Sequence, residues 1–349
     1  MFQHILVPLD GSSRAERAIP VAARLARASG GVITLLQAVA LPSEFAGQTM
    51  ESSRLKETFH ADWAQAADYL ACLAASEELS GVKTIMEVSN GQPAQLILAV
   101  ASSQVLDAPP VDLIIMCSHG RTGFTRWALG SVAQHVARQS PVPVLVLNER
   151  GDTPTNLRPD GMHSVRVLVA LDGSSHAEAA LAPAAQLTAA LSAPAQGTLH
   201  LVRVLRLPSM YEYGQKDSLA EAKEQGMLEA HAYLSTVKQR LHEGTLANLK
   251  LSVTSTVWVS MDVAITLLGI AEAGEDMEDV EAAHGCDVIA LATHGRSGPE
   301  RWVLGSVAER ILGATKLPLL IVRPQKIGDE GEEEGEPTKV AGNAIGMET

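Results

Sequence analysis

Two stretches of 15 residues, CSHGRTGFTRWALGS (Cys117–Ser131) and ATHGRSGPERWVLGS (Ala292–Ser306), hold the residues best suited to chemistry. They agree at 9 of 15 positions, and each contains a His-Gly-Arg turn that is followed, nine residues after its glycine, by Gly-Ser. Glycine lets a backbone approach a ligand closely, and the amides at a helix N-terminus attract phosphate oxygens. The spacing therefore predicts a phosphate site in each stretch.

The Gly-Ser pairs also have a structural interpretation. Ser131 with Gln134, and Ser306 with Glu309, have the spacing of a capping box at the start of a helix. The segments SRAE and SHAE, which begin at Ser13 and Ser175, have the same pattern after the first strand of each repeat. We therefore expect serine caps at four helices.

The elements that position these residues occur twice. His4–Ala26 is echoed by Arg166–Thr188, with Asp10 and Asp172 before Gly-Ser in each. The offset between the copies is 162 residues at Asp10 but 175 at Gly120, so the second copy holds about 13 extra residues. We assign them to the segment 269–286, which precedes the fourth strand.

Short apolar runs alternate with amphipathic stretches in each copy. This pattern predicts an α/β fold in which two tandem five-stranded parallel sheets are each sandwiched between helices, as in Rossmann-like proteins. Ligands of such sheets bind beyond the carboxyl ends of the strands. In the first copy the predicted strands are Ile5–Leu9, Val32–Val39, Lys83–Val88, Leu113–Met116 and Val144–Leu147, and the predicted helices are Arg14–Ser29, Leu55–Leu79, Ala94–Ser103 and Val132–Gln139.

Composition sets the domain limits and excludes several classes of function. We expect domains at 1–148 and 164–325, a linker at 149–163 and an acidic, disordered tail at 326–349. The net charge of −13 argues against nucleic-acid and anionic-membrane binding. The three cysteines share no close spacing, and no stretch of about 18 apolar residues occurs, so we expect a cytoplasmic protein without a membrane span.

Taken together, these motifs resemble the universal stress protein family, whose ATP-binding members carry Gly-x2-Gly-x9-Gly-(Ser/Thr) after the fourth strand. The resemblance covers both copies and implies a fold like that of the adenine nucleotide alpha hydrolases. Cys117 and Ala292 stand where the family pattern has its first glycine. Because neither side chain tolerates a positive φ as glycine does, a protein of the same fold without nucleotide stays an alternative.

The resemblance also implies a set of nucleotide-binding residues in each copy. Asp10 and Asp172 would accept hydrogen bonds from ribose hydroxyls, although each is also a common turn residue before glycine. Ala38 and Val204 would face adenine, and the two arginines would reach phosphates. The full set is Pro8, Asp10, Ala38, Cys117, His119, Gly120, Arg121, Gly130, Ser131 and Val132 in the first copy, and Asp172, Val204, Ala292, His294, Gly295, Arg296, Gly305, Ser306 and Val307 in the second.

The implied function is an ATP-binding protein with a regulatory role in the stress response and at most slow hydrolysis. ATP, ADP and AMP, with or without Mg²⁺, stay open as ligands. The alternatives are a nucleotide-free dimerisation and interaction module, or an enzyme that acts on an adenine nucleotide in one domain, with His119 or His294 in catalysis rather than in an orienting role. We expect no metal site, an unidentified protein partner, and fifth strands that pair as an intramolecular pseudo-dimer or between chains.

Overall fold

The computed structural model describes residues 1–39, 53–103, 109–119, 130–148, 164–206, 216–274, 285–293 and 305–324. The expected acidic tail, the linker and the segment between Gly120 and Leu129 lie outside the described residues. In the first copy the strands are β1 (His4–Leu9), β2 (Val32–Val39), β3 (Lys83–Asn90), β4 (Leu113–Cys117) and β5 (Val144–Leu147), and the helices are α1 (Ser13–Glu16), α2 (Ala18–Ser29), α3 (Ser53–Ala74), α4 (Pro93–Ser102) and α5 (Ser131–Gln139).

The second copy repeats this order of elements. Its strands are β6 (Arg166–Ala170), β7 (Thr198–Arg206), β8 (Ser252–Ser260), β9 (Val288–Ala292) and β10 (Leu319–Val322). Its helices are α6 (Ser175–Glu178), α7 (Leu181–Ser192), α8 (Lys216–Glu243), α9 (Val263–Ala273) and α10 (Ser306–Ala314). One short 3₁₀ turn precedes the third strand in each copy, at Glu77–Leu79 and at Ala247–Leu249.

The predicted helix Arg14–Ser29 is wrong in one respect, because the chain forms two helices, α1 and α2, with a break at Arg17. Pro20 is the third residue of α2, and its missing N–H removes the bond that would have reached Glu16. Pro183 has the same place in α7 of the second copy. The break therefore follows from a proline that both copies share.

All ten strands form one sheet, in the order β3-β2-β1-β4-β5-β10-β9-β6-β7-β8. The strands within each copy are parallel. The copies meet where β5 pairs with β10 in antiparallel register, with Leu145 opposite Leu320. The prediction of an α/β fold with two tandem units of parallel strands is confirmed; the two units join into one sheet, in which each fifth strand has a neighbour on both sides.

The sheet separates two apolar layers, and each layer continues across both copies. On one face Ile5, Leu35 and Ile115 pack with α2 and α7, which contact each other across the seam. On the other face Leu6, Ile114 and Val146 pack with α4 and α5. Alternate strand residues are thus buried on opposite faces, as strands covered on both sides require.

Strand register shows where the second copy is longer, and the assignment of all extra residues to the segment 269–286 is wrong. The offset grows in three steps, so only six of the 13 residues fall between the third and fourth strands. The remaining seven lie in the two preceding crossovers. The corresponding strand positions are His4 and Arg166 (offset 162), Val32 and Thr198 (166), Lys83 and Ser252 (169), and Leu113 and Val288 (175).

Candidate functional site

The carboxyl end of the first strand in each copy is an Asp-Gly-Ser turn. Asp10 Oδ1 accepts hydrogen bonds from the Ser12 amide at 3.0 Å and the Ser12 hydroxyl at 2.6 Å. Asp172 repeats the arrangement with Ser174 at 2.9 and 2.6 Å. The intervening glycines have φ values of 80° and 85°, which other residues adopt at a cost. The turn therefore fixes each carboxylate at the end of its strand.

The serine that caps the following helix is one residue earlier than the sequence predicted. Ser12 Oγ accepts from the Ala15 amide at 3.3 Å, and Ser174 Oγ accepts from the Ala177 amide at 3.2 Å. Ser12 has extended backbone angles, whereas Ser13 already lies in the helix, so a capping box from Ser13 to Glu16 is wrong. The Glu16 carboxylate instead accepts a hydrogen bond from Tyr69 Oη at 3.0 Å.

The start of the fifth helix of each copy is tied to the end of the fourth strand. The Gly130 amide donates to Ser118 O at 2.8 Å, and the Gly305 amide donates to Thr293 O at 2.8 Å. A Cβ on Gly130 would lie 2.9 Å from the same Ser118 oxygen, closer than real Cβ atoms come. Replacement of Gly130 by valine would therefore disturb the fold, so a loss of ligand binding in that variant would not by itself identify Gly130 as a binding residue.

The predicted capping boxes at these two helices are also wrong. Gly130 and Gly305 are the N-cap residues, and among the described residues no side chain caps either helix. Ser131 and Ser306 are already the first helical residues, because their helices begin where the glycine carbonyl accepts from the amide four residues on, at 2.9 Å in both copies. A glycine cap leaves the first-turn amides to another acceptor, and the helix dipole favours an anion there.

Cys117 and Ala292 are the last residues of β4 and β9. Neither has a positive φ, so glycine is not required by backbone conformation at these positions. Cys117 is buried, and its Sγ lies 2.8 Å from the carbonyl oxygen of Arg14. The thiol thus contacts α1, whereas α5 packs on the opposite face of the sheet.

The remaining predicted residues have varied positions. Pro8 pairs with Leu36 near the end of β1, and Ala38 pairs with Ser89 near the end of β2. In the second copy, Val204 pairs with Trp258. His119 Nδ1 lies 3.2 Å from Ser118 Oγ, Val132 and Val307 pack against the apolar layer beneath their helices, and Gly120, Arg121, His294, Gly295 and Arg296 lie outside the described residues.

A pair of polar residues beneath the Asp-Gly-Ser turns was missed in the sequence. Gln37 lies opposite Leu9, and a Cβ on Gly11 would be 3.9 Å from its Nε2. The equivalent residue of the second copy, Arg203, has only 6% of its surface exposed and holds its guanidinium carbon 5.1 Å from the centre of the Tyr233 ring. Polar residues inside otherwise apolar strands, LLQAV and LVRVL, were the available signal.

Two tyrosines lie on equivalent helices, α3 and α8, behind the turns. Burial and the Glu16 carboxylate raise the pKa of Tyr69, and the charge of Asp10 adds to this shift. Burial and Glu178 likewise raise the pKa of Tyr233, but Arg203 and Arg240 oppose the shift. The charge of Asp10 thus acts on Tyr69 in the first copy, whereas the charges of Arg203 and Arg240 act on the equivalent Tyr233 in the second.

Other kinds of site are not found in the described residues. They include no group of three or more His, Cys, Asp or Glu side chains that could hold a metal ion. None of the described helices is long and apolar enough to cross a membrane. The arrangement that recurs in both copies is therefore the carboxylate turn beside a glycine-capped helix.

Comparisons with known proteins show the family to which the chain is similar. A model of the universal stress protein family matches residues 1–148 and 164–323. Universal stress protein Slr1230 of Synechocystis is 26% identical over 350 residues, which cover 92% of this chain and all of that protein. A universal stress protein of Thermus aquaticus is 30% identical over 148 residues, 42% of this chain and 99% of its own.

The fold likeness also extends over both copies. The crystal structure of a universal stress protein from Archaeoglobus fulgidus has a TM-score of 0.59 and 18% identity, and the match covers 92% of this chain and 98% of that one. Two segments that together span most of the sequence match one family model. The chain therefore belongs to the universal stress protein family, as a member with two copies of the domain.

Proposed function

We propose that each copy binds one adenine nucleotide, with ATP as the main ligand, and that occupancy regulates contacts with a protein partner under stress. One observation carries the proposal: both copies tie a glycine-capped helix to the fourth strand at the same distance, 2.8 Å. A helix N-terminus fixed beside the first-strand turn suits a phosphate chain, because its amides and dipole both favour negative charge.

The proposed ligand lies across the carboxyl edge of each half-sheet. The amides of Ser131 and Val132, with the Ser131 hydroxyl, would donate to phosphate oxygens, and Asp10 would accept from the ribose. Ala38 would meet adenine through its backbone. Ser306, Val307, Asp172 and Val204 would have the same roles in the second copy, and roles for Arg121 and Arg296 stay predictions.

The strand position of Cys117 favours this function over the nucleotide-free alternative. Its thiol contacts the carbonyl of Arg14 on α1, on the face of the sheet opposite α5. The larger residue therefore adds no bulk beside the start of α5. We expect hydrolysis to be slow at most, because the sequence supplies no Walker-type lysine or aspartate to stabilise the transferred phosphoryl group.

We also propose that the paired fifth strands make the chain an intramolecular pseudo-dimer. Because β5 lies between β4 and β10, and β10 between β5 and β9, each has its backbone partners within one chain. A homodimer through these strands would have to open the seam first. We therefore expect any association between chains to use another surface.

The function is tested by quantifying nucleotide released when freshly purified protein is denatured, followed by calorimetric titration of stripped protein with Mg-ATP. Two equivalents per chain are expected. One equivalent would mean that the copies have diverged in binding. No released nucleotide and no heat from folded protein would contradict nucleotide binding and favour an interaction module.

A further inference from the structure

We propose that Arg203 makes the second copy the tighter site for highly charged nucleotides, so that the two sites fill in order as the concentration of ATP rises. The inference rests on the proposed function and goes beyond it, because it ranks two sites whose proposed binding residues have equivalent positions. The ranking comes from the residue beneath the Asp-Gly-Ser turn, which is neutral in the first copy and cationic in the second.

Strand register establishes that Gln37 and Arg203 are equivalent. Gln37 is opposite Leu9, the residue before Asp10. The Leu171 amide, which precedes Asp172, donates to Val202 O at 2.9 Å, and Arg203 is the next residue of β7. Each side chain thus starts beside the turn that holds the proposed ribose-binding carboxylate.

The positive charge of Arg203 is held in place by packing. Its side chain is buried, and the guanidinium lies over the Tyr233 ring at 5.1 Å, a distance at which ring and cation attract. A buried charge is screened less by water and salt than an exposed one. We therefore expect Arg203 to act on the site through its electrostatic field.

Other charged groups near the turns differ between the copies and must be weighed against Arg203. In the first copy Arg14 and Arg17 are half-buried, and Arg17 donates to the Asn148 carbonyl at 3.3 Å. His176 and Ala179 replace them in the second copy. These two arginines oppose the difference, but both are more exposed than Arg203, so water and salt screen their charges more strongly.

The acidic groups beneath the turns are matched, but their partners are not. Glu16 is hydrogen-bonded to Tyr69 at 3.0 Å in the first copy. Its equivalent, Glu178, forms an ion pair with Arg240 at 2.8 Å in the second copy. Arg240 is more than half exposed, so its contribution is screened. The Arg240 ion pair, like the presence of Arg203 in place of Gln37, makes the second site less negative than the first.

The expected effect depends on the charge of the ligand. One unit charge at roughly 10 Å, with an effective dielectric constant of about 40, changes the affinity for a singly charged group about fourfold. The effect should increase from AMP to ADP to ATP and vanish for adenosine. A residue that only supports the local fold would change affinity for all four ligands alike.

The test uses titration calorimetry on full-length protein, and hydrogen exchange at 131–133 and 306–308 assigns each of the two ATP affinities to its site. Arg203→Gln should weaken ATP binding at the second site at least fourfold and leave adenosine binding within about twofold. The reciprocal change Gln37→Arg should strengthen ATP binding at the first site. Arg206→Gln, at the exposed end of the same strand, is the matched control and should have little effect.

Arg203→Lys guards against a merely structural explanation, since it keeps the charge but loses the planar stack on Tyr233. Retained preference for ATP in Arg203→Lys supports the field effect. Equal losses for ATP and adenosine in Arg203→Gln, or equal ATP affinities of the two sites in unmodified protein, would overturn the ranking while the proposed function stands. Absence of nucleotide binding at both sites of folded protein would overturn both.

Discussion

The two copies of the domain share a backbone frame but differ in the charges beneath it. Their carboxylate turns have the same 2.6 Å serine contact, and their glycine-capped helices have the same 2.8 Å tether. In contrast, the buried residue beside the turn is Gln37 in one copy and Arg203 in the other. The comparison indicates that the frame is fixed by backbone bonds, whereas nearby side chains have been free to change.

The frame tolerates this divergence for a physical reason. Hydrogen bonds from Gly130 and Gly305 use main-chain atoms only, and the turns at Gly11 and Gly173 depend on backbone angles. Side chains that lie one layer below contribute charge but do not set these bonds. Substitution there can alter the affinity of a site without moving its parts.

Substitutions at the seam between the copies, where β5 pairs with β10, should have the largest effects on stability, and the effects should be similar in the two copies. Leu145 and Leu320 lie opposite each other and are fully buried. We expect Leu145→Ala and Leu320→Ala each to lower the free energy of unfolding by about 2–5 kcal/mol, measured by denaturant titration. Leu228→Ala, at an exposed position on α8, is the control. A large loss for one leucine and none for the other would show that the seam is not shared equally.

Substitution at Gly130, whose amide bonds the start of α5 to Ser118 O, should have the next largest effect on stability. Gly130→Ala places a Cβ 2.9 Å from Ser118 O, and we expect a loss of about 1–3 kcal/mol in unfolding free energy. Gly313→Ala in α10 meets no atom within 4 Å and should be neutral or stabilising. Chemical denaturation compares the two variants, and similar stability would argue against the close approach.

The carboxylates allow a comparison of binding between the copies with little change in the turn. Asp10→Asn and Asp172→Asn keep an oxygen that accepts from the following serine but remove the charge. Since hydrogen bonds to charged acceptors are stronger, we expect about a fivefold loss of adenosine affinity at the altered site, because adenosine carries no phosphate charge for the carboxylate to repel. Calorimetry on each variant measures the loss. Unchanged affinity in both would assign the aspartates to the turn alone.

A smaller difference concerns pH and is confined to the second copy. Asp262 caps α9 and pairs with Arg310 at 2.7 Å, and this pair, with the Ile265 amide, lowers the pKa of Asp262 below its usual 3.8. A lowered pKa in the folded state stabilises the protein above pH 3.8, and this contribution is lost as pH falls further. Gln92, the N-cap of α4 in the first copy, makes no side-chain cap bond.

Thermal melts at about pH 5 and pH 3 test this asymmetry. We expect Asp262→Asn to lower the Tm at the higher pH and to reduce the change in Tm between the two conditions. Asp68→Asn, on the exposed side of α3, serves as the control. An unaltered pH dependence in Asp262→Asn would exclude the ion pair as its source.

The sequence predicted the strands well because most of them are apolar runs between turn residues, and the duplication shows each element twice. Helix starts were predicted less well. Ser131 and Ser306 fit a capping box in sequence. The carbonyl of the preceding glycine, however, accepts the first helical hydrogen bond, so the N-cap is one residue earlier in each helix. Sequence spacing alone does not distinguish a serine at the cap from a serine in the first turn.

The polar layer beneath the site shows a different limit of prediction. Arg203 stacks on Tyr233 from α8, 30 residues later in the chain, so the contact arises only from tertiary packing. Cys117 also departs from the family glycine, but its place in β4 makes the substitution compatible with the backbone. Both features depend on elements that fold together from distant segments.

The most direct test of the account is hydrogen exchange at the starts of α5 and α10, with and without Mg-ATP. The account predicts that amides in 131–133 and 306–308 exchange more slowly with nucleotide, because phosphate oxygens accept their hydrogen bonds. Protection in both helices would support one phosphate site in each copy. Unchanged exchange in both helices, at an ATP concentration high enough to fill both proposed sites, would contradict the central claim.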